Sequence, residues 1–481
     1  MPVHDADNPG ARVRQAISVR DHSAVLIDFD ETLFLRSSTE SYLGSARPRW
    51  LALIVLELLD VLRPWAFLPG ERSRFVYRDW LRVLLISVLL PWTLIRWRRQ
   101  APALGRRWQN DELLAALQGR GPVHVVTFGF APVVRPLLAG MTVDAELTVV
   151  SSLTRGHRVR AEGKLPAARR ELGNQVVVGS LVVTDSEDDA DLLAYARTGV
   201  LAQWPAAVHE TAFFRSYVPF LYTRKGKRAG QRYLVHNVLL EDVVVLVLAF
   251  AWTAANPVLT AIGLLTLHLS FWLVYEIGYH ENDHRAALRE RAPHRPAGAE
   301  EHADRMKPVF AWLCALLLAL PGCYLVALGA GPSLRTTAGP GSGPAVVGVV
   351  LFTWVAYLLV SRAAFAAYNQ LETSRRSFPY AVLQLTRTAG YGVLLTASHV
   401  GVIALGALVL ARWFPYMTYR DLGQHPRGSH RLTMLLAFVV LGLVQAAGDP
   451  EVLWSLQAVV VLLYFMGRAH RPLRALLAAQ P

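Results

Sequence analysis

The stretch VLIDFDETLF, Val25 to Phe34, ends a short apolar run with Asp28 and Asp30 and follows them with Thr32. A run of this length between polar flanks reads as a buried strand. In an extended strand residues i and i+2 point to the same side, so both carboxylates are expected to face one site. Two neighbouring carboxylates repel unless a cation or a shared proton relieves them. A Mg²⁺ ion would do so, leaving one carboxylate to attack phosphorus and the other to handle a proton. The plainer alternative is an aspartate capping the next helix.

Three later segments carry matching chemistry. Thr127 lies at the end of VHVVTF, where a hydroxyl could hold a phosphoryl oxygen. Lys164, in RAEGKLPAARRELG, could neutralise a nucleophile and a phosphate. The run VVVGSLVVTDSEDDADLL supplies Asp185 and Asp189, four residues apart, as oxygen donors for Mg²⁺. Strand-like runs at Ala24–Phe29, Val123–Phe128, Glu146–Ser151 and Gln175–Thr184 alternate with helical stretches. That alternation predicts a Rossmann-like α/β domain with a parallel sheet.

Asp-x-Asp-x-Thr, a strand threonine, a lysine and Asp-x-x-x-Asp, in that order, resemble the haloacid dehalogenase superfamily, mostly phosphatases. The resemblance covers residues 22–205. It implies that Asp28 is the nucleophile and forms an aspartyl-phosphate, and that Asp30 is the general acid and base. It implies that Thr127 and Lys164 bind the transferring phosphoryl group. Asp28 and Asp185 would bind Mg²⁺, with Asp30 beside them, and Asp189 would support the metal or the lysine; Asp188 competes for that last role. The family often has glycine where this chain has Glu31, and glycine where it has Thr184. Residues 33–122 would form a cap insertion that selects the substrate.

The rest of the chain reads differently. Of 481 residues, 53% are hydrophobic and 18% charged, a balance that suits a protein part soluble and part membrane-embedded. The formal charge is +13, and arginines flank apolar segments, which favours lipid and phosphate partners over nucleic acid. The cysteines, Cys314 and Cys323, share one apolar segment, so neither a disulfide framework nor a cysteine zinc site is expected. The N-terminal segment has no apolar core of a signal peptide. A tail (1–21) precedes the α/β domain, a basic linker (206–236) follows it, and 237–481 is expected to be an all-α polytopic bundle. Candidate spans lie at 237–254, 257–279, 308–329, 345–366, 388–411, 431–447 and 451–468, each about long enough for a hydrocarbon core of roughly 30 Å. Splitting 379–411 would add one, and the expected count is about seven to nine. Basic segments at 222–233, 284–307 and 372–387 place the α/β domain on the cytoplasmic side of the cell membrane by the positive-inside rule. Within the α/β domain, the apolar stretches 50–62 and 81–97 are expected either to be buried in the cap or, for the second, to lie in the headgroup layer with Trp92, Arg96, Trp97, Arg98 and Arg99.

The stretch FWLVYEIGYHENDHRAALRERAPHRP, 271–296, puts Glu276, Asn282, Asp283, Glu290, Arg291 and Arg295 at the mouth of a span. Acidic residues there are functional candidates, and carboxylates with arginines suit a pyrophosphate held through Mg²⁺. A solvated charged loop is the alternative. Asn282 and Asp283 resemble the start of the first acidic motif, Asn-Asp-x-x-Asp-x-x-x-Asp, of the UbiA-type intramembrane prenyltransferases. Ala286 replaces the second acid and Glu290 the third. The region of the second motif, SRAAFAAYNQLETSRRSFPYAVLQLTR (361–387), has Glu372 as its one acid. By that resemblance Asp283 and Glu290 would hold Mg²⁺, and Asn282, Arg291, Arg362, Tyr368, Asn369, Arg375 and Arg376 would bind substrate. The two resemblances imply a phosphatase fused to a transferase acting on a polyprenyl phosphate, with phosphoribosyl or prenyl transfer preceding dephosphorylation. A non-catalytic lipid-binding anchor is the alternative for the second half, and association of identical copies is left open. A transporter would want ionisable residues deep in the spans, where His268 and His399 are the evident ones.

Overall fold

The computed structural model describes residues 9–19, 21–67, 73–289, 302–335, 343–422 and 429–478. The chain forms two compact units, Met1–Phe214 and Arg215–Pro481.

The first unit is built on five parallel strands: β1 (Val25–Ile27), β2 (Val123–Phe130), β3 (Glu146–Ser151), β4 (Leu181–Thr184) and β5 (Thr198–Leu201), in spatial order β3-β2-β1-β4-β5. Strand alternation divides the core between two faces. Val25, Ile27, Val123 and Val125 pack with Val133, Leu137 and the helices between β1 and β2. Leu26, Val126 and Val182 point the other way, onto Ala167, Ala168, Val177 and Leu192. The fourth strand begins at Leu181, later than the expected Gln175, because Asn174–Val178 forms a short helix between Gly173 and Gly179. The short β5 at the sheet edge was not expected.

Helices Ser38–Ser45, Arg49–Leu62, Ser73–Leu89, Trp92–Arg107 and Asp111–Leu117 fill the interval between β1 and β2. They share one core with the sheet through Tyr42, Leu43, Leu56, Ile86, Trp97 and Leu113. Helix Arg49–Leu62 buries Ala52, Leu56 and Leu59 and exposes Trp50, Ile54, Leu58, Val61 and Leu62. The chain turns by 110° between Tyr77–Leu89 and Trp92–Arg107, at Pro91, which lacks the N–H that would continue a helix. Val83, Ile86, Leu90 and Trp97 are buried there, while Val88, Leu89, Trp92 and Ile95 are exposed. Each apolar stretch therefore has a core face and an open face.

The second unit is mostly helical. Among the described residues five helices are long and apolar enough to cross a membrane: Leu234–Ala251, Pro257–Leu288, Pro308–Gly329, Pro344–Gln370 and His399–Tyr419. Their outward faces carry exposed Phe310, Leu317, Leu320, Phe352, Leu359 and Val360. Apolar surface on this scale calls for lipid rather than water, so the chain is a multi-pass membrane protein. Of the seven expected spans, 431–447 forms a shorter apolar helix, His430–Ala446, and 451–468 falls across a break at Ser455 into Leu456–Ala478. The 379–411 region does split, but its first piece, Ser377–Thr388, is 12 residues, about 18 Å, too short to span. Residues 206–236 divide between the units. Val208 donates its N–H to Leu35 O at 2.9 Å in the first, whereas Thr223 N–H donates to Glu276 Oε1 at 2.6 Å in the second.

Candidate active site

β1 stops at Ile27, so strand alternation does not set the direction of the two aspartates. Asp28 N–H donates to Val183 O of β4 at 3.0 Å, which holds Asp28 at the C-terminal edge of the sheet. That edge is where open parallel sheets gather their ligands. Asp28 is 9% exposed; its Oδ1 accepts from Phe29 N–H at 2.7 Å, and its Oδ2 lies 2.8 Å from Lys164 Nζ. Lys164 also donates to Asp189 Oδ2 at 2.7 Å. It starts helix Lys164–Leu172 directly after Gly163, whose φ of 99° no residue with a Cβ adopts easily. The Thr184 hydroxyl lies 2.6 Å from Asp189 Oδ2 and 3.3 Å from Asp28 Oδ2, and its one proton serves one of them at a time.

Burial pushes the Asp28 carboxyl up to about 7; Lys164 pulls it down, and the charges of Asp189 and Asp185 add to the rise. Burial opposes the charge on Lys164, but Asp28 and Asp189 outweigh it and raise its pKa. Asp28 can thus exchange between carboxylate and carboxylic acid near neutrality, beside a lysine that stays charged.

Asp30 accepts the backbone N–H of Ser38, and burial raises its pKa, with Arg160 and Lys164 among the charges opposing the rise. Both aspartates therefore feel Lys164. Thr127 is buried on β2; its oxygen accepts from Gly129 N–H at 2.9 Å, which leaves its own proton to donate. Asp185 follows β4, and Thr32 donates to its Oδ1 at 2.8 Å. Burial raises the Asp185 carboxyl as well. Of the two competing acids, Asp189 is the buried partner of Lys164 and Asp188 is exposed. Sequence reasoning missed Arg160, which donates to Phe128 O at 3.3 Å and to Asp79 at 2.9 Å; nothing in its local pattern sets it apart from its neighbouring arginines.

Among the described residues no three His, Cys, Asp or Glu side chains gather as a ready metal cage. Mg²⁺ needs less, since one or two carboxylates with waters and a substrate phosphate complete its six oxygens. Asp28 and Asp185 are hard oxygen donors whose repulsion contributes to the raised Asp28 carboxyl, and a cation relieves that repulsion. The residues fit Mg²⁺ in this mode.

In the second unit, the described residues of the expected mouth have the following partners. Helix Pro257–Arg289 runs 33 residues, well past Glu276. Asp283 accepts from Tyr222 Oη at 2.9 Å and pairs with Lys227; Asn282 Nδ2 lies 3.5 Å from it. Arg362 pairs with Glu281. Tyr368 Oη meets Tyr416 Oη at 2.7 Å, and Asn369 donates to Gly278 O at 3.0 Å. Arg376 is buried, with Nε donating to Leu371 O at 2.9 Å and its guanidinium 5.5 Å from the Tyr368 ring, while Arg375 is exposed. Glu290 and Arg291 lie outside the described residues. Instead, the bundle interior holds Glu241, Asp242, Arg387 and Arg412. The sequence reading passed over Glu241, Asp242 and Arg412, because the acids sit in the apolar run LLEDVVV and Arg412 near the end of an apolar segment.

No protein-family model, curated protein or solved structure matches this chain.

Proposed function

We propose that the chain is a multi-pass membrane enzyme whose first unit is a Mg²⁺-dependent phosphomonoester hydrolase of the haloacid dehalogenase type. One observation carries the proposal: Lys164 bridges Asp28 and Asp189 at the C-terminal edge of a parallel sheet, 2.8 and 2.7 Å away. Asp28 attacks phosphorus; an oxygen–phosphorus bond forms and the bond to the leaving alcohol breaks. Asp30, whose carboxyl burial shifts towards the protonated form, would give that alcohol its proton. Asp30 then takes a proton from water, which attacks the aspartyl-phosphate, releases inorganic phosphate and regenerates Asp28. Lys164 and the Thr127 hydroxyl hold the phosphoryl oxygens. Mg²⁺, held by Asp28 and Asp185, would neutralise charge on those oxygens. The two departures from the family's pattern are accommodated: Glu31 has the positive φ, 57°, that explains a glycine there, and Thr184 adds a hydroxyl beside Asp189.

For the helical unit we propose a UbiA-like bundle in the cytoplasmic membrane, with the hydrolase on the cytoplasmic side. It would act on a polyprenyl phosphate, adding a phosphorylated group such as phosphoribosyl, which the hydrolase then dephosphorylates. Tethering the two sites in one chain would favour handover. A lipid-binding anchor without transfer chemistry is the second reading; the ties of Asp283 to Lys227 and Tyr222, and of Arg362 to Glu281, favour it. The test is hydrolysis of small phosphate esters by the full chain in detergent. Turnover should need Mg²⁺ and vanish in Asp28→Asn; retained turnover in that variant refutes the hydrolase assignment.

A further inference from the structure

Among the described residues, one buried cluster of the helical unit holds more positive than negative charge. Glu241 and Asp242 are adjacent on helix Leu234–Ala251 and fully buried. Asp242 Oδ2 accepts from Arg387 Nε at 2.8 Å and lies 3.3 Å from His268 Nε2. Glu241 Oε2 lies 3.2 Å from His430 Nε2, 3.3 Å from Arg468 Nη2 and 3.8 Å from Arg431 Nε. Arg412 spans both acids, reaching Glu241 Oε1 at 3.0 Å and pairing with Asp242. Among the described side chains, four guanidiniums thus lie within ion-pair reach of two carboxylates.

A second observation is independent of this charge count. Arg412 Nη1, Arg431 Nε and Arg468 Nε are buried N–H groups that donate no hydrogen bond, Arg431 Nε lying 3.8 Å from Glu241, and the Arg412 side chain is only 8% exposed. Buried donors are normally satisfied, and surplus buried charge is costly unless a counter-charge accompanies it. A network serving only to pin helices together would need neither spare donors nor spare cations. The cluster also meets the first turn of helix His430–Ala446, whose N-terminus favours an anion. It opens at His430 and Arg431, whose side chains are 32% and 27% exposed. Inward, Arg387 Nη1 donates to Tyr233 Oη at 3.2 Å, and its guanidinium sits 4.5 Å from the Trp272 ring. The Arg228 guanidinium lies 4.9 Å from the Tyr233 ring centroid.

We propose that Arg412, Arg431 and Arg468, set on the Glu241–Asp242 pair and backed by Arg387, form a binding site for a phosphate-class anion. Guanidinium forks match two oxygens of one phosphate, and a dianion balances the two surplus charges. The anion is the phosphate of a polyprenyl phosphate or a soluble phosphate. The lipid source rests on the function proposed for the helical unit; the site itself does not.

The test uses the full chain in detergent, in an Asp28→Asn background so that no ester is consumed. Inorganic pyrophosphate and a short-chain polyprenyl monophosphate are titrated separately by calorimetry. Each variant is compared with its parent, so any phosphate held at the first unit's site cancels. In the Arg431→Gln/Arg468→Gln double variant, binding of one equivalent should weaken by about tenfold or more, and the anion-induced rise in melting temperature should disappear. Arg412→Lys, which keeps the charge and loses the fork, should weaken binding less than Arg412→Gln. Binding of the lipid supports a headgroup site, and binding of pyrophosphate alone supports a soluble anion. Binding of neither, or equal binding in the double variant and its parent, overturns the proposal and leaves the cluster as a helix-pinning ion network. Hydrolysis at Asp28 does not enter the measurement, so its failure is read separately.

Discussion

Replacing Asp28 by asparagine should abolish hydrolysis and at the same time stabilise the first unit at neutral and alkaline pH. Asp28 is 9% exposed, and its carboxyl is pushed from 3.8 up to about 7, with burial outweighing the Lys164 contact. Between those values the folded state holds a proton that the unfolded state has lost, so stability falls as pH rises through the window. Below 3.8 both states are protonated and the penalty is absent; above about 7 it is complete. A shift of that size corresponds to about 4 kcal/mol as an upper bound at pH 8, and to less than about 2 kcal/mol at pH 5. Asparagine keeps the shape and removes the titration, while Lys164 keeps Asp189 as its partner. Thermal unfolding of the full chain in detergent with chelator should therefore show Asp28→Asn above wild type at pH 8, with the gap narrowing at pH 5. A variant less stable than wild type at pH 8 would refute the reasoning, because the Asp28–Lys164 ion pair would then be net stabilising.

Lys164→Met should also end hydrolysis, but with the opposite effect on stability. It strips Asp28 and Asp189 of their shared cation, a loss of about 3–5 kcal/mol, read as a lowered unfolding midpoint at pH 8. The open faces of the first unit's apolar helices should meet lipid. In nanodiscs, nitroxides at the exposed Leu58 and Leu62 should be more accessible to oxygen than to a water-soluble nickel chelate; the reverse ranking would place that face in water. Asp283→Ala should remove radiolabelled transfer to a polyprenyl phosphate and spare ester hydrolysis at Asp28, whereas transfer at the wild-type rate would favour the anchor.

The parallel sheet was legible because its strands are short apolar runs bounded by turn residues, and four of the five were found. β5 was missed because Thr198–Leu201 is four residues with a glycine inside, too short for a pattern. The motif acids and Lys164 stood out by residue type and order. Their connection did not, because Lys164 and Asp189 meet only through tertiary packing 25 residues apart. The helical unit was legible as apolar length but not as a site. Glu241 and Asp242 looked like an interruption of a hydrophobic run, and the partners that give them meaning come from residues 26 to 227 positions away. The residues chosen from the acidic-motif resemblance have other partners, such as Lys227 for Asp283, 56 positions away.

The central claim is that Asp28 becomes covalently phosphorylated. The full chain should be mixed with a radiolabelled phosphate ester and Mg²⁺, quenched in acid, and reduced with borohydride before peptide mass spectrometry. An acyl phosphate at Asp28 should appear as homoserine at position 28, and the hydroxylamine-sensitive label should be absent from Asp28→Asn. Ester turnover with no label at Asp28, or with the label on another residue, would contradict the account.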